Sequence, residues 1–196
     1  MYQQEREELC CIAKMLFDKN LASGTDGNIS MRLPDNRMLI TPSGINKGLL
    51  RPEQLLVQDY EGNVLEGTLR STKEAGMHAI LYETRPEVGA IVHTHPAAAT
   101  AFAACGMTIP DNILIEIGTL IGKMAVVPFA KPGSRELAEG VREAAKECSV
   151  FLLQNHGVVV GGKNLIDAFN KMDGMENAAK SILYAKILGK VKEIEE

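Results

Sequence analysis

The order of strand-like and helical segments constrains the fold of this chain more than any other feature. In the first half, short apolar runs follow one another across tight turns, the clearest being Pro34-Asp35-Asn36. Hairpin-like connections of this kind give antiparallel neighbours. In the second half, apolar runs alternate with segments of helical periodicity, which is typical of α/β folds. The pattern therefore predicts one α/β domain with a mixed sheet covered by helices.

The individual segments are assigned from apolar spacing and from residues that start or stop helices. Strands are predicted at Asn28–Leu33, Met38–Thr41, Leu55–Val57, Val64–Leu65, Val88–His95, Met124–Phe129, Val150–Gln154 and Val158–Val160. Helices are predicted at Tyr2–Lys19, Thr72–Thr84, Pro96–Cys105, Ser134–Ala145 and Leu165–Leu188. Neither a repeat nor a linker interrupts the chain, so residues 1–196 are predicted to form a single domain.

Charge and hydropathy exclude several classes of function. The 21 basic and 25 acidic side chains give a net charge of −4, whereas nucleic-acid binders usually carry a basic surplus. No apolar run reaches the roughly 18 residues of a membrane span, and the acidic, polar start does not resemble a signal peptide. The four cysteines form no Cys-x-x-Cys pair, which favours reduced thiols. We expect a cytoplasmic protein without nucleic-acid or membrane partners.

Three of the four histidines follow apolar strand segments. His93 and His95 are two residues apart, so on a strand their side chains share a face at a spacing of roughly 6–7 Å. His156 follows the apolar run Val150–Leu153. Three imidazoles with an open fourth position are typical of a catalytic zinc. Each histidine alone also fits a plain alternative, a polar strand end or a satisfied loop or core histidine.

Glu74 and His78 are four residues apart and would share one helix face. Glu74 could therefore reach a site as an acid or base. It also fits a capping box in which Ser71 is the N-cap and Glu74 is the third helical residue, and this alternative explains Glu74 by itself. For His78, packing in the core is favoured over a role as a metal ligand.

Three further segments carry donors suited to an anion. The loop Gly24–Asn28 and the loop Thr41–Gly44 contain glycines, whose backbone N–H groups can face an anion. The start of the Thr72 helix adds more N–H groups and the Lys73 ammonium. Three such segments suit a phosphate, although each alone also fits an ordinary turn.

Together these residues resemble the class II aldolase and ribulose-5-phosphate epimerase superfamily, and within it the fuculose phosphate aldolases. The matching motifs occur in the family's order over nearly the whole chain: GTDGNIS (24–30), ITPSG (40–44), STKEAGMH (71–78), RPEVGAIVHTH (85–95), PFAKPGSRELAE (128–139) and LLQNHG (152–157). The resemblance implies a three-layer α/β/α domain with a central mixed, largely antiparallel sheet. It also implies a homotetramer with active sites between subunits.

The resemblance also implies roles for individual residues. His93, His95 and His156 match the three ligands of a divalent metal, usually Zn²⁺, and Glu74 matches the catalytic acid/base. The phosphate-binding positions of the family correspond to Thr25, Asn28, Ser43, Gly44, Thr72 and Lys73. The expected activity is that of a metal-dependent aldolase, which cleaves a ketose 1-phosphate to dihydroxyacetone phosphate and an aldehyde.

Two departures from the family pattern leave other reactions open. Lys73 stands where a hydroxyl is usual, and the segment after Ile109-Pro110 lacks the tyrosine that helps handle the aldehyde in fuculose phosphate aldolases. The tyrosine-bearing tail of those enzymes is absent as well. An epimerase, decarboxylase or dehydratase acting on a sugar phosphate is therefore the first alternative. A non-catalytic module like the adducin head domains is the second.

Overall fold

An eight-stranded sheet runs through the protein in the computed structural model, which describes residues 1–194. The strands are β1 (Asn28–Leu33), β2 (Arg37–Ile40), β3 (Leu56–Asp59), β4 (Val64–Glu66), β5 (Ala90–Thr94), β6 (Met124–Val127), β7 (Val150–Leu153) and β8 (Gly157–Gly162). Their spatial order is β4-β3-β2-β1-β5-β8-β7-β6. Only β6 and β7 pair in parallel, and every other neighbouring pair of these strands is antiparallel. The predicted mixed, largely antiparallel sheet is confirmed.

Helices cover both faces of this sheet. They are α1 (Gln3–Asp18), α2 (Ala75–Thr84), α3 (Ala97–Ala104), α4 (Arg135–Ala145) and α5 (Leu165–Leu188). One apolar cluster joins α1, α3 and α5 to the sheet, and a second joins α2 and α4 to its opposite face. Alternate residues of β5 and β8 enter the two clusters, as the period of two in a strand requires. The predicted three-layer α/β/α architecture is therefore confirmed.

The start of α2 corrects the predicted capping box. The helix begins at Ala75, and Glu74 occupies the N-cap position without a side-chain capping bond. Ser71 instead forms an isolated bridge with Pro42, and its hydroxyl donates to Gln58 Oε1. Pairing to a neighbouring segment holds Ser71 outside the helix, so Glu74 is free of the capping role. The other predicted boundaries of helices and strands differ from the structure by at most three residues.

Short helical turns escaped prediction because they carry too few residues for a periodic signal. They comprise 3₁₀ turns at Lys47–Leu49 and Pro52–Gln54 and a π-helical segment at Ile117–Ile121. The structure contains no helix long and apolar enough to span a membrane within residues 1–194. The single domain over residues 1–196 stays a prediction, and Glu195 and Glu196 lie outside the described residues.

Sheet pairing brings the candidate site together. Strand β5 lies between β1 and β8, with Asn28 opposite His93 on one side and Val158 opposite Thr94 on the other. The turn between β7 and β8 carries His156 to the same end of the sheet. Residues 28, 93 and 156 are far apart in sequence, and the antiparallel register makes them neighbours.

Candidate metal centre and anion cavity

Three histidines meet at one end of strands β5 and β8. His93 is in β5, His95 directly follows that strand, and His156 lies in the turn before β8. Their ring centroids are 4.9–5.0 Å apart in all three pairs. One nitrogen from each ring lies within 4.8 Å of the others, so the three could hold one metal ion. The structure thus brings the three predicted ligands together.

Local backbone features fix the direction of these rings. Asn155 has a φ of 55°, and this left-handed conformation closes the tight turn that presents His156. A Cβ at Gly157 would overlap the His95 ring and the Thr94 carbonyl oxygen. Only glycine allows β8 to approach β5 this closely, and the approach brings His156 to the other two histidines.

The protonation states of the histidines suit metal binding. His93 Nδ1 donates to the carbonyl oxygen of Val158 at 2.8 Å, which leaves the lone pair on Nε2 facing the site. Burial and the neighbouring histidines lower the pKa of His95 to about 4. Burial and His93 also lower the pKa of His156. Both rings are therefore neutral near pH 7, as ligand nitrogens must be.

Glu74 completes the centre. Its carboxylate oxygens lie 3.2 Å from His93 Nε2 and 3.4 Å from His156 Nε2. Burial would raise the pKa of this carboxyl, but the two histidines and the amide of Asn28 outweigh it and lower the pKa below its ordinary value. The resting group is therefore a carboxylate. Its Oε1 is buried without a hydrogen-bond partner among the described residues.

This donor set fits a divalent metal of the zinc type. Neutral imidazoles at one point are characteristic zinc ligands, and three of them leave a coordination position for substrate. His93 Nε2 and His95 Nε2 lie 3.3 Å apart, close enough for one cation to bind both nitrogens. The unpartnered Glu74 Oε1 is also an oxygen that a cation or a substrate hydroxyl can satisfy.

The predicted anion-binding residues surround a cavity beside these histidines. It has a volume of about 280 Å³, and all six residues predicted to bind phosphate line it together with Glu74 and His95. The six are Thr25, Asn28, Ser43, Gly44, Thr72 and Lys73. Gly27 joins the two halves of the site, because a Cβ there would overlap the carbonyl oxygen of His93. The predicted residues are thus adjacent, and their role in binding phosphate stays a prediction.

A larger cavity, of about 510 Å³, lies around Arg32 and Tyr60 and contains none of these residues. The Arg32 guanidinium already donates to the carbonyl oxygens of Val88, Tyr82 and Arg85. The smaller cavity is the better candidate because His95, the Glu74 carboxylate and the predicted anion loops all line it.

Lys47 supports the anion loops, although no sequence motif points to it. Its side chain is 1% exposed, and Nζ donates to the carbonyl oxygens of Thr25 and Ile45, one in or beside each anion loop. Burial lowers its pKa to about 8, although the nearby Asp26 acts in the opposite direction. A lone lysine in a short turn has no periodic or motif signal, so only the packing identifies it.

His78 is fully buried in the layer between β1 and α2. Its Nε2 contacts Asn28 Oδ1 at 2.5 Å, and it does not belong to the histidine cluster. Asn28 also reaches Glu74, with Nδ2 2.9 Å from Oε2. Asn28 therefore contacts the candidate acid/base as well as lining the anion cavity.

Comparisons with known proteins agree with this geometry. The family model of the class II aldolase and adducin N-terminal domain matches residues 7–183. The 3-oxo-tetronate 4-phosphate decarboxylase of Haemophilus influenzae is 38% identical over 180 residues, which cover 90% of this chain and 85% of the relative. The L-fuculose phosphate aldolase of Methanococcus maripaludis is 34% identical over 173 residues, covering 88% and 93% respectively.

The same relationship appears in three dimensions. A solved structure of L-fuculose 1-phosphate aldolase superposes with a TM-score of 0.90 at 33% identity, covering 97% of this chain and 90% of that one. The resemblance inferred from the motifs is confirmed. The family-model match and the relatives show that this chain belongs to the class II aldolase and adducin N-terminal domain family.

Proposed function

We propose that this protein is a metal-dependent decarboxylase of a phosphorylated 3-oxo sugar acid. The observation that carries the proposal is the meeting of three imidazoles, one ionised carboxylate and an anion cavity at a single point. The relative that is 38% identical, a 3-oxo-tetronate 4-phosphate decarboxylase, supports the choice of substrate. Such a substrate carries a phosphate for the cavity and a ketone next to the bond that breaks.

The roles of the residues follow from where they lie. His93, His95 and His156 would hold a divalent metal, which would supply a Lewis acid for negative charge that develops on the substrate oxygens. The loops at Thr25–Asn28 and Ser43–Gly44 bind the phosphate and orient the substrate, and this remote binding energy assists the reaction. Lys73 adds a positive charge that can attract the carboxylate or the phosphate of the substrate.

Glu74 moves the proton. Carbon dioxide leaves, and the electron pair of the broken bond stays on the substrate as the enediolate. One proton from solvent must then reach the carbon that lost carbon dioxide, which yields dihydroxyacetone phosphate from a 3-oxo-tetronate 4-phosphate. Glu74 lies beside His93 and His156, so it is placed to carry that proton.

The missing tyrosine favours decarboxylation over aldol cleavage. An aldolase must remove a proton from a substrate hydroxyl as the aldehyde leaves, and the resemblance assigns tyrosines to that half of the reaction. Carbon dioxide is released from a carboxylate that is already ionised, so no such base is needed. Among residues 1–194, no tyrosine lines the cavity.

An aldolase acting on a ketose 1-phosphate is the second candidate. It is supported by the 34% identical L-fuculose phosphate aldolase and by the structural match to such an enzyme. Both reactions pass through the enediolate of dihydroxyacetone phosphate, so one site can be adapted to either. The convergence of metal ligands and a carboxylate disfavours a non-catalytic module, which needs neither.

The test compares the two substrates on one preparation. The protein is stripped with a chelator, reloaded with Zn²⁺, Mn²⁺ or Co²⁺, and supplied with 3-oxo-tetronate 4-phosphate or L-fuculose 1-phosphate. We expect metal-dependent release of carbon dioxide and dihydroxyacetone phosphate from the first, with kcat/KM at least about tenfold above aldol cleavage of the second, a difference of ~1.4 kcal/mol. Faster cleavage of the ketose phosphate would make the enzyme an aldolase. Inactivity on both would contradict the proposal.

The identity of the metal, the assembly and the cellular compartment remain part of the proposal. Zinc is favoured by the imidazole set, and metal analysis of the purified protein tests it. A homotetramer with sites between subunits, acting in the cytoplasm, is what the family resemblance implies. Light scattering of the purified protein checks the assembly.

A further inference from the structure

A line of buried polar side chains connects helix α2 to the candidate acid/base. It consists of Tyr82, Ser30, His78, Asn28 and Glu74, which are between 0% and 8% exposed. Asn28 and Ser30 occupy alternate positions of β1, and Glu74, His78 and Tyr82 are spaced by four residues along the start of α2 and its first turns. Two residues of a strand advance about 6.6 Å and four of a helix about 6 Å, so the side chains from β1 and those from α2 can alternate in a single row.

Each group in this row contacts the next at hydrogen-bond distance. The Tyr82 hydroxyl is 2.8 Å from Ser30 Oγ, and Ser30 Oγ is 2.7 Å from His78 Nδ1. His78 Nε2 is 2.5 Å from Asn28 Oδ1. Asn28 Nδ2 is 2.9 Å from Glu74 Oε2 and 3.3 Å from Thr72 Oγ1. The row is therefore continuous from Tyr82 to the carboxylate.

The carboxylate determines the direction of every donor in the row. An ionised Glu74 only accepts, so Asn28 must present its NH₂ group there and its carbonyl oxygen to His78. His78 must then donate from Nε2 and accept at Nδ1. Ser30 supplies the proton for Nδ1 and accepts one from Tyr82. Hydrogen positions follow here from the partners available, and only this arrangement satisfies all five groups.

The reverse arrangement would be unfavourable at the reacting end. If the Asn28 amide turned over, its carbonyl oxygen would face the Glu74 carboxylate, and two acceptors would oppose each other in a buried place. His78 prevents this by requiring an acceptor from Asn28. The ring cannot leave this role without losing Ser30 as well, because it is fully buried and bonded at both nitrogens.

We propose that His78, supported by Ser30 and Tyr82, is a positioning residue that holds the Asn28 amide so that the Glu74 carboxylate keeps the orientation needed for proton transfer. The inference rests on the proposed function, since it assigns the proton transfer to Glu74. It predicts that weakening the row slows proton transfer to carbon while metal content and substrate affinity stay nearly the same.

Exchange of deuterium into dihydroxyacetone phosphate tests this step without cleavage of any carbon–carbon bond. The metal-loaded enzyme in D₂O forms the enediolate from dihydroxyacetone phosphate and returns a deuteron to the same carbon. Mass spectrometry measures the rate, and the concentration dependence gives kcat and KM separately. The readout is the same whether the enzyme is a decarboxylase or an aldolase.

The variants are Ser30→Ala, His78→Leu and His78→Gln. Because misplacing a catalytic group by about 1 Å can cost on the order of 100-fold, we expect His78→Leu to lower kcat for exchange by about 10- to 100-fold. Ser30→Ala should lower it by about 3- to 10-fold, the loss of one neutral hydrogen bond. His78→Gln keeps an N–H donor for Asn28 and should recover part of the loss seen with leucine.

Tyr60→Phe is the matched control. Tyr60 stacks on Tyr82 with ring centroids 5.7 Å apart, and its hydroxyl contacts Arg32 outside the row. Removing this hydroxyl perturbs the same packing but should leave exchange unchanged. Metal analysis and circular dichroism on every variant confirm equal loading and folding. If His78→Leu does not fold, Ser30→Ala still provides the decisive comparison.

The possible failures are distinct. If Ser30→Ala and every folded His78 variant exchange as fast as Tyr60→Phe, the inference is wrong. It is equally wrong if KM rises while kcat holds, because the row would then serve only the anion cavity through Asn28. A wild-type enzyme that binds metal but does not exchange would overturn the proposed function, and with it the role given to Glu74.

Discussion

The metal side and the anion side of the site are built in different ways. The histidines stand on or beside paired strands, and His93 is locked by its bond to the Val158 carbonyl oxygen. The anion side consists of loops and the segment before α2, where Ser43, Gly44 and Lys73 are exposed. The buried Lys47 connects two of these loops by donating to the carbonyl oxygens of Thr25 and Ile45. Strand pairing therefore positions the candidate metal ligands, whereas side chains and backbone carbonyls position the candidate anion loops.

This difference separates the expected effects of substitutions. Changes on the metal side should remove the metal or the proton transfer and appear in kcat. Changes on the anion side should weaken binding of the phosphorylated substrate and appear mainly in KM. The following predictions test that division, beginning with the largest effect.

Replacing a metal ligand should have the largest effect. We expect His95→Ala to lose the bound metal on dialysis and to lower activity by more than about 100-fold. This exceeds the roughly 10- to 100-fold loss that is typical when a hydrogen-bond partner of a metal ligand is replaced. Metal analysis together with the carbon dioxide assay measures both. Asp26→Asn changes a carboxylate 3.9 Å from His95 Nδ1 without removing a ring nitrogen, so this variant should lose less metal and less activity. Full metal retention by His95→Ala would contradict the site.

Removing the charge of Glu74 should affect the chemistry without affecting the fold. Glu74→Gln should lower kcat by about 10²- to 10⁴-fold, the usual contribution of an acid/base, while metal content persists. Because Glu74 makes no capping bond to α2, the free energy of unfolding should change little. Steady-state kinetics and urea unfolding check the two statements. Glu83→Gln, an exposed change on the same helix, is the control, and full activity of Glu74→Gln would refute the acid/base role.

A change on the anion side should separate KM from kcat. Lys73 lines the cavity and is exposed, so Lys73→Met should raise KM for the phosphorylated substrate about tenfold, or ~1.4 kcal/mol, with a smaller change in kcat. Kinetics at several salt concentrations measure this, and the difference from the wild type should shrink as salt screens the charge. Lys146→Met, which removes an exposed lysine at the C-cap of α4, controls for net charge. An unchanged KM would remove Lys73 from the binding site.

The smallest expected effect concerns Lys47 and stability at alkaline pH. The pKa of Lys47 is about 8 in the folded protein against an ordinary value of 10.5, so between these values the unfolded chain binds more protons. The free energy of unfolding of the wild type should therefore rise with pH relative to Lys47→Met, by at most about 1.4 kcal/mol per pH unit. Urea unfolding from pH 7 to 10 measures the difference. A constant difference over this range would contradict the lowered pKa of Lys47.

Local sequence predicted much of the fold. The period of two in the strand segments and the apolar spacing of the helices depend on neighbouring residues alone, so α5 was predicted with its observed bounds. The helix predicted from Ser134 begins at Arg135 with Ser134 as its N-cap, since the Ser134 hydroxyl accepts from the Leu137 N–H. The start of α2 was predicted wrongly, since a bridge from Ser71 to Pro42 competes with the local capping signal.

The sequence by itself determined which side chains could serve chemistry: the His-x-His at a strand end, a third histidine before a glycine, and a carboxylate four residues ahead of His78. Tertiary structure alone decided that Lys47 supports the anion loops and that Asn28 faces Glu74 with its amide held by His78. The physical reason is that a strand advances as far in two residues as a helix does in four. This equal spacing brings the side chains of the two elements into contact only when β1 packs against α2.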